Sequence, residues 1–368
     1  MRVRPLALAS AAVCCLLSFA RGDVSHRLFD FTPISAANPV VATIDGTLQI
    51  PLSELRAYRT TERLQARTDD LPRQRALLDD LINEYLFVDE AYRTGLVQSP
   101  KFSTQMAATR TMILTDFLST QATNEHPPGS VAARDAAATL ADRLFDAAPI
   151  DISNEAYALI KRAAQKIDTT SAASQRGPVA DPPDVTAAKL SAIITATPEA
   201  VAVRFADKSL SLHEILSIYA GLPAPRPAVQ TPEGFVALIK PLITPELMAG
   251  EAVRRGIASE SDFQNKLVQN RNALLRFQAQ AAIEAEANAI LRSPELEAKL
   301  QAWYRTHAGT YAVTEPGGGR TVPALAEARD RALADFSVEL CDHFRAEKAR
   351  ALRQARVITI DEAVLRTL

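Results

Sequence analysis

The stretch LLDDLINEYLFVDEAYRTG at residues 77–95 recurs as LIKPLITPELMAGEAVRRG at residues 238–256. In both copies the apolar residues are spaced by one and by three or four positions, which predicts a helix with a broad apolar stripe. Both copies then end in Glu-Ala-x-Arg-x-Gly. Two unrelated amphipathic helices would share the stripe but not this polar ending, so the chain is predicted to contain a duplicated helical unit.

Each copy is preceded by a predicted β-hairpin. In the first, residues 40–44 and 48–50 flank an Asp-Gly pair, which suits the positive φ angles of a two-residue turn. In the second, apolar residues alternate over 201–205 before a less regular turn. A helix follows each hairpin, and Ser-Leu-His-Glu at 211–214 is typical of a capping box at its start.

Each copy continues into a second long helix and then a short closing strand. Gly95 and Gly256 are predicted to end the first long helices in the left-handed conformation, and the next helix of the second copy is expected over 261–291. Alternating β-branched residues precede acidic helix starts at 150–156 and at 358–363. We expect each closing strand to pair with the hairpin of its own copy, which gives each unit a small sheet.

These patterns predict a mainly α fold of two repeated helical units, each with a short β-hairpin and a short closing strand. The offset between the copies grows from 161 residues in the long helix to 208 at the closing strand, so the second unit has an insertion of 47 residues. A stretch rich in proline and small polar residues is interpreted as the linker between the units. The predicted organisation is a signal peptide at 1–20, a first unit at 39–165, a linker at 169–186, and a second unit at 199–368 with the insertion around 292–338.

The N-terminus has the three parts of a secretory signal. Arg2 and Arg4 precede an uncharged apolar stretch at 6–19, and Ser18 and Ala20 are the small residues expected before a cleavage site after Ala20. A buried N-terminal helix and a lipoprotein signal both fit this layout less well. The mature chain is therefore expected in the periplasm or otherwise exported, with no stable membrane span after signal cleavage.

Composition argues against several classes of function. Glycine accounts for 13 of 368 residues and hydrophobic residues for 47%, which favours helices over a β-sandwich or a glycine-cradled nucleotide site. The 41 basic and 43 acidic residues give a net charge of −2, without the basic excess of a surface that binds nucleic acid. The sequence therefore predicts no cofactor and no nucleic-acid partner.

No group of residues predicts catalysis or metal binding. The five histidines do not pair at metal-ligand spacing, and His213 is interpreted as a solvated residue beside a helix start. Adjacent acids at 79–80 and 89–90 diverge on a helix and are interpreted as a solvated polar face. Cys341, the one cysteine left after signal cleavage, is interpreted as a small buried apolar residue. We predict no catalytic residue and no metal site.

The order of the motifs resembles the N-terminal chaperone domain of SurA-type proteins. The motifs are Val-Ala-x-Ile-Asp-Gly, Leu-Ser-Glu, Leu-Leu-Asp-x-Leu-Ile-Asn-x-x-Leu and Glu-Ala-x-Arg-x-Gly-Leu, and the resemblance covers residues 40–121 and again 200–281. The segment at 357–365 resembles the closing segment of the same family. The resemblance implies an exported, ATP-independent chaperone that binds unfolded or nascent secreted and outer-membrane polypeptides in an apolar groove between helices.

The chain departs from that family in one respect. SurA-type proteins usually also carry a parvulin-type peptidyl-prolyl isomerase domain before the closing segment. Here only ten residues separate Tyr311 from Val322, which is too few for that domain, so no isomerase catalytic residue is carried over. Two alternatives to a holdase stay open. One is an active peptidyl-prolyl cis-trans isomerase, and the other is a structural or assembly subunit whose grooves are filled by one fixed partner or by a second copy in a homodimer.

The candidate client-binding residues are large apolar side chains of the long helices and an aromatic cluster near the triple glycine at 317–319. Methionine and phenylalanine in such helices are core residues by default, but grooves that contain methionine adapt well to varied partners. The aromatic cluster is interpreted as core packing more readily than as an exposed anchor. The candidate peptide-binding residues are Phe102, Met106, Met112, Phe117, Phe263, Phe277, Trp303 and Tyr304.

Overall fold

A computed structural model describes residues 27–61, 71–176, 183–223, 225–314 and 318–368. The signal peptide predicted at 1–20 lies outside these residues. The described chain is mainly helical, with twelve α-helices and eight short strands, which confirms the predicted fold class at that level. Within these ranges, no helix combines the length and the apolar character that a membrane crossing requires.

The predicted hairpins, long helices and closing strands follow one another in the order that the sequence predicts, and further elements lie between them. The strands are β1 (Val40–Ile44), β2 (Leu48–Pro51), β3 (Ile150–Ile152), β4 (Val201–Phe205), β5 (Lys208–Ser211), β6 (Val313–Thr314), β7 (Arg320–Thr321) and β8 (Ile358–Ile360). The α-helices are α1 (Leu52–Thr61), α2 (Leu71–Arg93), α3 (Pro100–Thr123), α4 (Val131–Ala147), α5 (Asn154–Arg176), α6 (Pro183–Thr195), α7 (Leu212–Gly221), α8 (Pro232–Arg254), α9 (Ser261–Leu291), α10 (Leu296–His307), α11 (Leu325–Gln354) and α12 (Glu362–Leu365).

Local residue chemistry sets the ends of these elements. Asp45 and Gly46 turn the first hairpin with φ angles of 52° and 68°, as a two-residue turn requires. The capping box predicted at Ser211 is present at the start of α7. Gly95 and Gly256 follow α2 and α8 with φ angles of 76° and 82°, so both helices end in the left-handed conformation that the sequence predicts.

The chain forms two compact units. The first unit combines Met1–Ser103 with Val268–Leu368, and the second unit is Thr104–Leu267. Neither coincides with the units predicted at 39–165 and 199–368. The difference arises because the first unit takes its helices and strands from both ends of the chain, whereas the repeat predicts two bodies that are consecutive in sequence.

The closing strands form where they are predicted, but each pairs with the hairpin of the other predicted copy. In the first unit the strand order is β2-β1-β8, with Ala42 opposite Ile360. In the second unit the order is β3-β4-β5, with Val203 opposite Ile152. The prediction that each closing strand pairs with the hairpin of its own copy is therefore wrong.

The charges on the long helices match this exchange of partners. Helix α11 leads into β8 and packs on α2, where Arg353 binds the Asp79 carboxylate at 3.0 Å and Asn83 at 2.7 Å. Helix α4 leads into β3 and packs on α8, where Lys240 binds Asp142 at 2.9 Å. Asp79 and Lys240 occupy the same position of the two copies, 161 residues apart. The opposite pairing would therefore bring like charges together.

The acids on α2 are engaged in ion pairs, so their interpretation as a solvated face is wrong for Asp79 and for Asp89. Arg356, two residues before β8, forms ion pairs with Asp89 and, at 2.6 Å, with Asp45 in the turn of the first hairpin. Asp45 also accepts a 2.9 Å hydrogen bond from the backbone N–H of Val357. These contacts hold β8 at the edge of β1.

The stretch at 169–186, predicted as a linker, is mostly helical. Helix α5 continues to Arg176, and α6 begins at Pro183. Ile160 and Ile167 of α5 are fully buried in the core of the second unit. This packing stabilises α5, which therefore continues into the stretch that composition alone predicts as a linker. Likewise, the insertion predicted around 292–338 forms α10, the β6–β7 hairpin and the start of α11.

Candidate peptide-binding cleft

Three of the candidate residues lie in helical cores. Phe102 is buried in the first unit, and Phe263 is fully buried in the second. Phe117 packs against Phe263 edge to face, with 6.0 Å between the ring centroids. These rings stabilise the packing of their helices and are not presented to solvent as a ligand site.

Trp303 and Tyr304 belong to an apolar cluster of the first unit that also includes Tyr311 and Phe336. Tyr304 is buried, and its hydroxyl donates a 2.8 Å hydrogen bond to the carbonyl of Pro323. Trp303 is partly buried, and its Nε1 donates at 2.8 Å to Glu339. Both aromatic residues therefore hold the insertion together.

The remaining candidates are more accessible. Met112 is 59% exposed and Phe277 is 65% exposed, whereas Met106 is half-buried. Met112 lies in the second unit and Phe277 in the first. The structure thus divides the eight candidate residues between two units, and none of them lines the cleft described next.

A cleft with a volume of about 840 Å³ lies between α5 and α6 of the second unit. Its floor is apolar, with Leu159 and Ala163 from α5 and with Ala192 and Ile193 from α6. A cleft of this size is in the range of protein sites that enclose a ligand. Sequence reasoning did not identify it, because part of its wall lies in the stretch interpreted as a linker.

Helix α5 contributes both to the core and to the cleft. Ile160, Ala164 and Ile167 recur at steps of three and four and pack into the core of the second unit. Leu159, which is partly buried, and Ala163, which is buried, pack in the same core and also line the cleft. The apolar floor of the cleft is therefore continuous with the core of the second unit.

The end of α6 is held by His213. Its Nε2 lies 2.5 Å from the carbonyl oxygen of Thr197, one of the residues that line the cleft. Since a carbonyl oxygen only accepts, Nε2 carries the proton in this contact. The interpretation of His213 as a solvated residue is therefore wrong: it positions the turn that closes one end of the cleft.

Polar residues surround the apolar floor. Arg162 and Lys166 of α5 are exposed, and the hydroxyl or amide groups of Gln165, Thr169 and Thr170 complete the rim on that side. The residues that line the cleft include no carboxylate. This arrangement can bind an apolar segment and offers hydrogen bonds and positive charge at the rim, but it presents no nucleophile or acid–base pair.

A second polar group, formed by Asp168, Tyr219 and Arg226, lies on another side of α5. The Tyr219 hydroxyl donates to Asp168 at 2.7 Å, and Arg226 binds the same carboxylate at 3.1 Å. Burial, together with the hydrogen bond to Asp168, raises the pKa of Tyr219 well above its usual value. The Tyr219 hydroxyl stays protonated at neutral pH and acts as a structural hydrogen-bond donor. Together, the three residues attach the proline-rich loop after α7 to α5.

The first unit contains a buried carboxylate. Glu54 of α1 is fully buried and accepts hydrogen bonds from the backbone N–H groups of Leu28 at 3.1 Å and Phe29 at 3.0 Å. Burial raises the pKa of Glu54 to about 7, although the backbone N–H groups and Arg27 act in the opposite direction. A carboxyl group that titrates near 7 is a common feature of active sites, but this one anchors the segment that precedes β1.

Other candidate chemistry is sparse in the described part of the chain. No cluster of three or more histidine, cysteine or acidic side chains is arranged to bind a metal ion there. Cys341 is a free thiol and is only half-buried, less enclosed than the sequence interpretation implies. The α5–α6 cleft is therefore the feature best suited to binding.

Comparison with known proteins returned no match to a family model, to a curated protein or to a solved structure.

Proposed function

We propose that the chain is an exported, ATP-independent holdase that binds unfolded secreted or outer-membrane polypeptides. The observation that carries the proposal is the cleft between α5 and α6, which has a partly exposed apolar floor. Ala192 is exposed, Leu159 and Ile193 are half-buried, and Ala163 is buried. A holdase requires such a surface, because transient burial of apolar client segments lowers the concentration of aggregating chains. The N-terminal signal pattern supports the exported location.

The floor of the cleft suits loose and varied occupants. It contains aliphatic side chains and small alanines, with no deep polar pocket to select one side chain. Binding an unfolded chain requires that the chain become ordered, which weakens affinity for each residue bound. The result is broad, reversible binding that needs no nucleotide.

The SurA-like relationship is part of the same proposal. Both copies have the same order of elements: a hairpin, a short helix, a long helix, a 3-10 turn after a left-handed glycine, and a second long helix. This supports two SurA-N-like copies in one chain. In this proposal, the copies exchange their closing strands, which places the copied elements in nested rather than consecutive units.

Suppression of aggregation tests the function. An outer-membrane protein diluted from urea should aggregate less in the presence of the full mature chain. Ala192→Glu places a charge on the exposed floor of the cleft and should weaken suppression severalfold. Ala187→Glu is the matched control, because Ala187 is also exposed on α6 but does not line the cleft.

Circular dichroism and thermal melting of both variants show whether the fold is retained. Absence of suppression by the wild-type chain at stoichiometric excess would overturn the proposal. An equal loss of suppression in the two variants would show that the binding surface is not this cleft.

A further inference from the structure

The α5–α6 cleft carries positive charge that the protein does not neutralise. Arg162 makes one described contact, a 3.4 Å hydrogen bond from Nε to the carbonyl of Ala158. Lys166 has no ion-pair partner among the described residues. The nearest carboxylate on α5, Asp168, is bonded to Tyr219 and Arg226 on another side of the helix. Both rim cations therefore remain available to a ligand.

A second cleft of the same unit differs in its balance of charge. That cleft has a volume of about 460 Å³ and is lined by α3, α4, α8 and the turn between β4 and β5. Two of its three cations are compensated within the protein, because Lys208 is paired with Glu246 and Arg254 with Glu251. Two carboxylates, Asp207 and Glu246, line the second cleft, whereas the residues that line the α5–α6 cleft include none.

The spacing of the two cations fits a helical ligand. Arg162 and Lys166 are four residues apart, so they lie one turn apart on the same side of α5. Two neighbouring helices leave a groove that accepts the apolar stripe of a third helix. Carboxylates one turn apart beside such a stripe would meet both cations.

We infer that the cleft binds acidic amphipathic segments, in which an apolar stripe is flanked by aspartate or glutamate one helical turn apart. The inference rests on the proposed function and adds the class of client to it. The apolar floor supplies most of the binding free energy. The rim cations favour a ligand of negative charge and accelerate its association. A basic segment with the same apolar residues is disfavoured because it meets two cations.

Peptide binding tests the inference directly. Two fluorescein-labelled peptides share one apolar stripe and carry either glutamate or lysine at the flanking positions, and fluorescence anisotropy reports their binding to the full mature chain. The acidic peptide should bind about 2- to 30-fold more tightly, the range expected for two exposed ion pairs. The preference should shrink at high salt, because exposed charges are screened.

Charge reversal provides the matched variants. Arg162→Glu combined with Lys166→Glu should reverse the preference. Arg134→Glu combined with Arg143→Glu changes the net charge equally on exposed positions of α4 and should preserve it. Thermal melts of both variants exclude loss of the fold.

The outcomes separate this inference from the proposed function. Equal binding of the two peptides by the wild-type chain, or an acidic preference that survives reversal of Arg162 and Lys166, would overturn the charge selectivity while leaving a holdase cleft intact. Binding of neither peptide, together with no suppression of aggregation, would overturn both. Loss of binding in Ala192→Glu with a retained acidic preference in the wild-type chain supports both.

Discussion

At the scale of single residues, Glu54 is the most constrained charge in the described chain. It lies in the core of the first unit and connects α1 to the segment before β1 through two backbone hydrogen bonds. Desolvation disfavours its ionised form more strongly than these hydrogen bonds favour it, which is why its pKa rises. The sequence marks Glu54 only as part of a Leu-Ser-Glu motif and does not indicate its burial.

Glu54 makes the free energy of unfolding depend on pH. The unfolded chain releases this proton near pH 4.5, whereas the folded protein keeps it until about pH 7. Between these values the folded state binds more protons, so stability should fall as pH rises, by up to about 3 kcal/mol between about pH 5 and about pH 8. Urea unfolding at the two pH values measures this.

The matched variant is Glu54→Gln, which cannot titrate. It should lower stability near pH 5, because one backbone N–H group loses its acceptor, and it should remove the fall between the two pH values. A variant that keeps the wild-type dependence on pH would assign the effect to another group.

Arg226 shows how burial changes the contribution of an ion pair to stability. Its side chain is 11% exposed and binds Asp168, whereas Arg204 is 66% exposed and lies 3.8 Å from Asp151. Arg226→Met should lower the stability of the second unit by about 1–2 kcal/mol, because a backbone carbonyl loses its donor and Asp168 keeps only the hydrogen bond from Tyr219. Arg204→Met should change stability by less than about 0.5 kcal/mol. Equal effects in denaturant titrations of the two variants would contradict this assignment.

At the scale of elements, each long helix carries a charge that is opposite to that of the closing helix packed on it. Asp79 of α2 attracts Arg353 of α11, and Lys240 at the corresponding position of α8 attracts Asp142 of α4. Lys240 also lies over the ring of Phe145, at 5.1 Å from the centroid. The ion pairs of the two helix pairs thus have the opposite polarity.

A double-mutant cycle tests this pairing. Asp79→Lys should lower stability by about 1–3 kcal/mol, because it places two cations together at a partly buried contact. Adding Arg353→Glu should recover part of the loss. Asp342→Lys is the control, since Asp342 and Arg345 are an exposed pair 3.8 Å apart. If the loss of stability in the double variant equals the sum of the losses in the two single variants, a direct pairing of Asp79 with Arg353 is refuted.

At the scale of the whole molecule, the sheets join parts of the chain that are distant in sequence. Thr359 of β8 lies opposite Thr43 of β1, and Asp151 of β3 lies opposite Arg204 of β4. Thr359→Pro should reduce protection from hydrogen exchange at 40–44 and leave 201–205 protected, because proline interrupts pairing only in its own sheet. Asp151→Pro should have the reverse pattern. Pairing within each copy would exchange the two results.

Most of the elements could be predicted from the sequence. The stripe at 77–95, the glycines at its end and at Gly256, and the capping box at Ser211 each act over a few residues, so their structural consequence is local. The closing strands were also predictable from their alternation. The site was not: the candidate rings of Phe102 and Phe263 are buried, because a large apolar residue on a helix indicates burial and cannot by itself indicate a groove.

What the sequence determined alone is the two hairpins that open the predicted copies, their long helices and the closing strands, because periodicity, turn residues and caps act within one element. Only the tertiary structure decided which closing strand pairs with which hairpin, since this pairing depends on contacts between elements that are distant in sequence, such as that of Asp79 with Arg353. It also decided that Glu54 is buried and that α5 and α6 leave a cleft, because burial and open space are properties of several elements packed together.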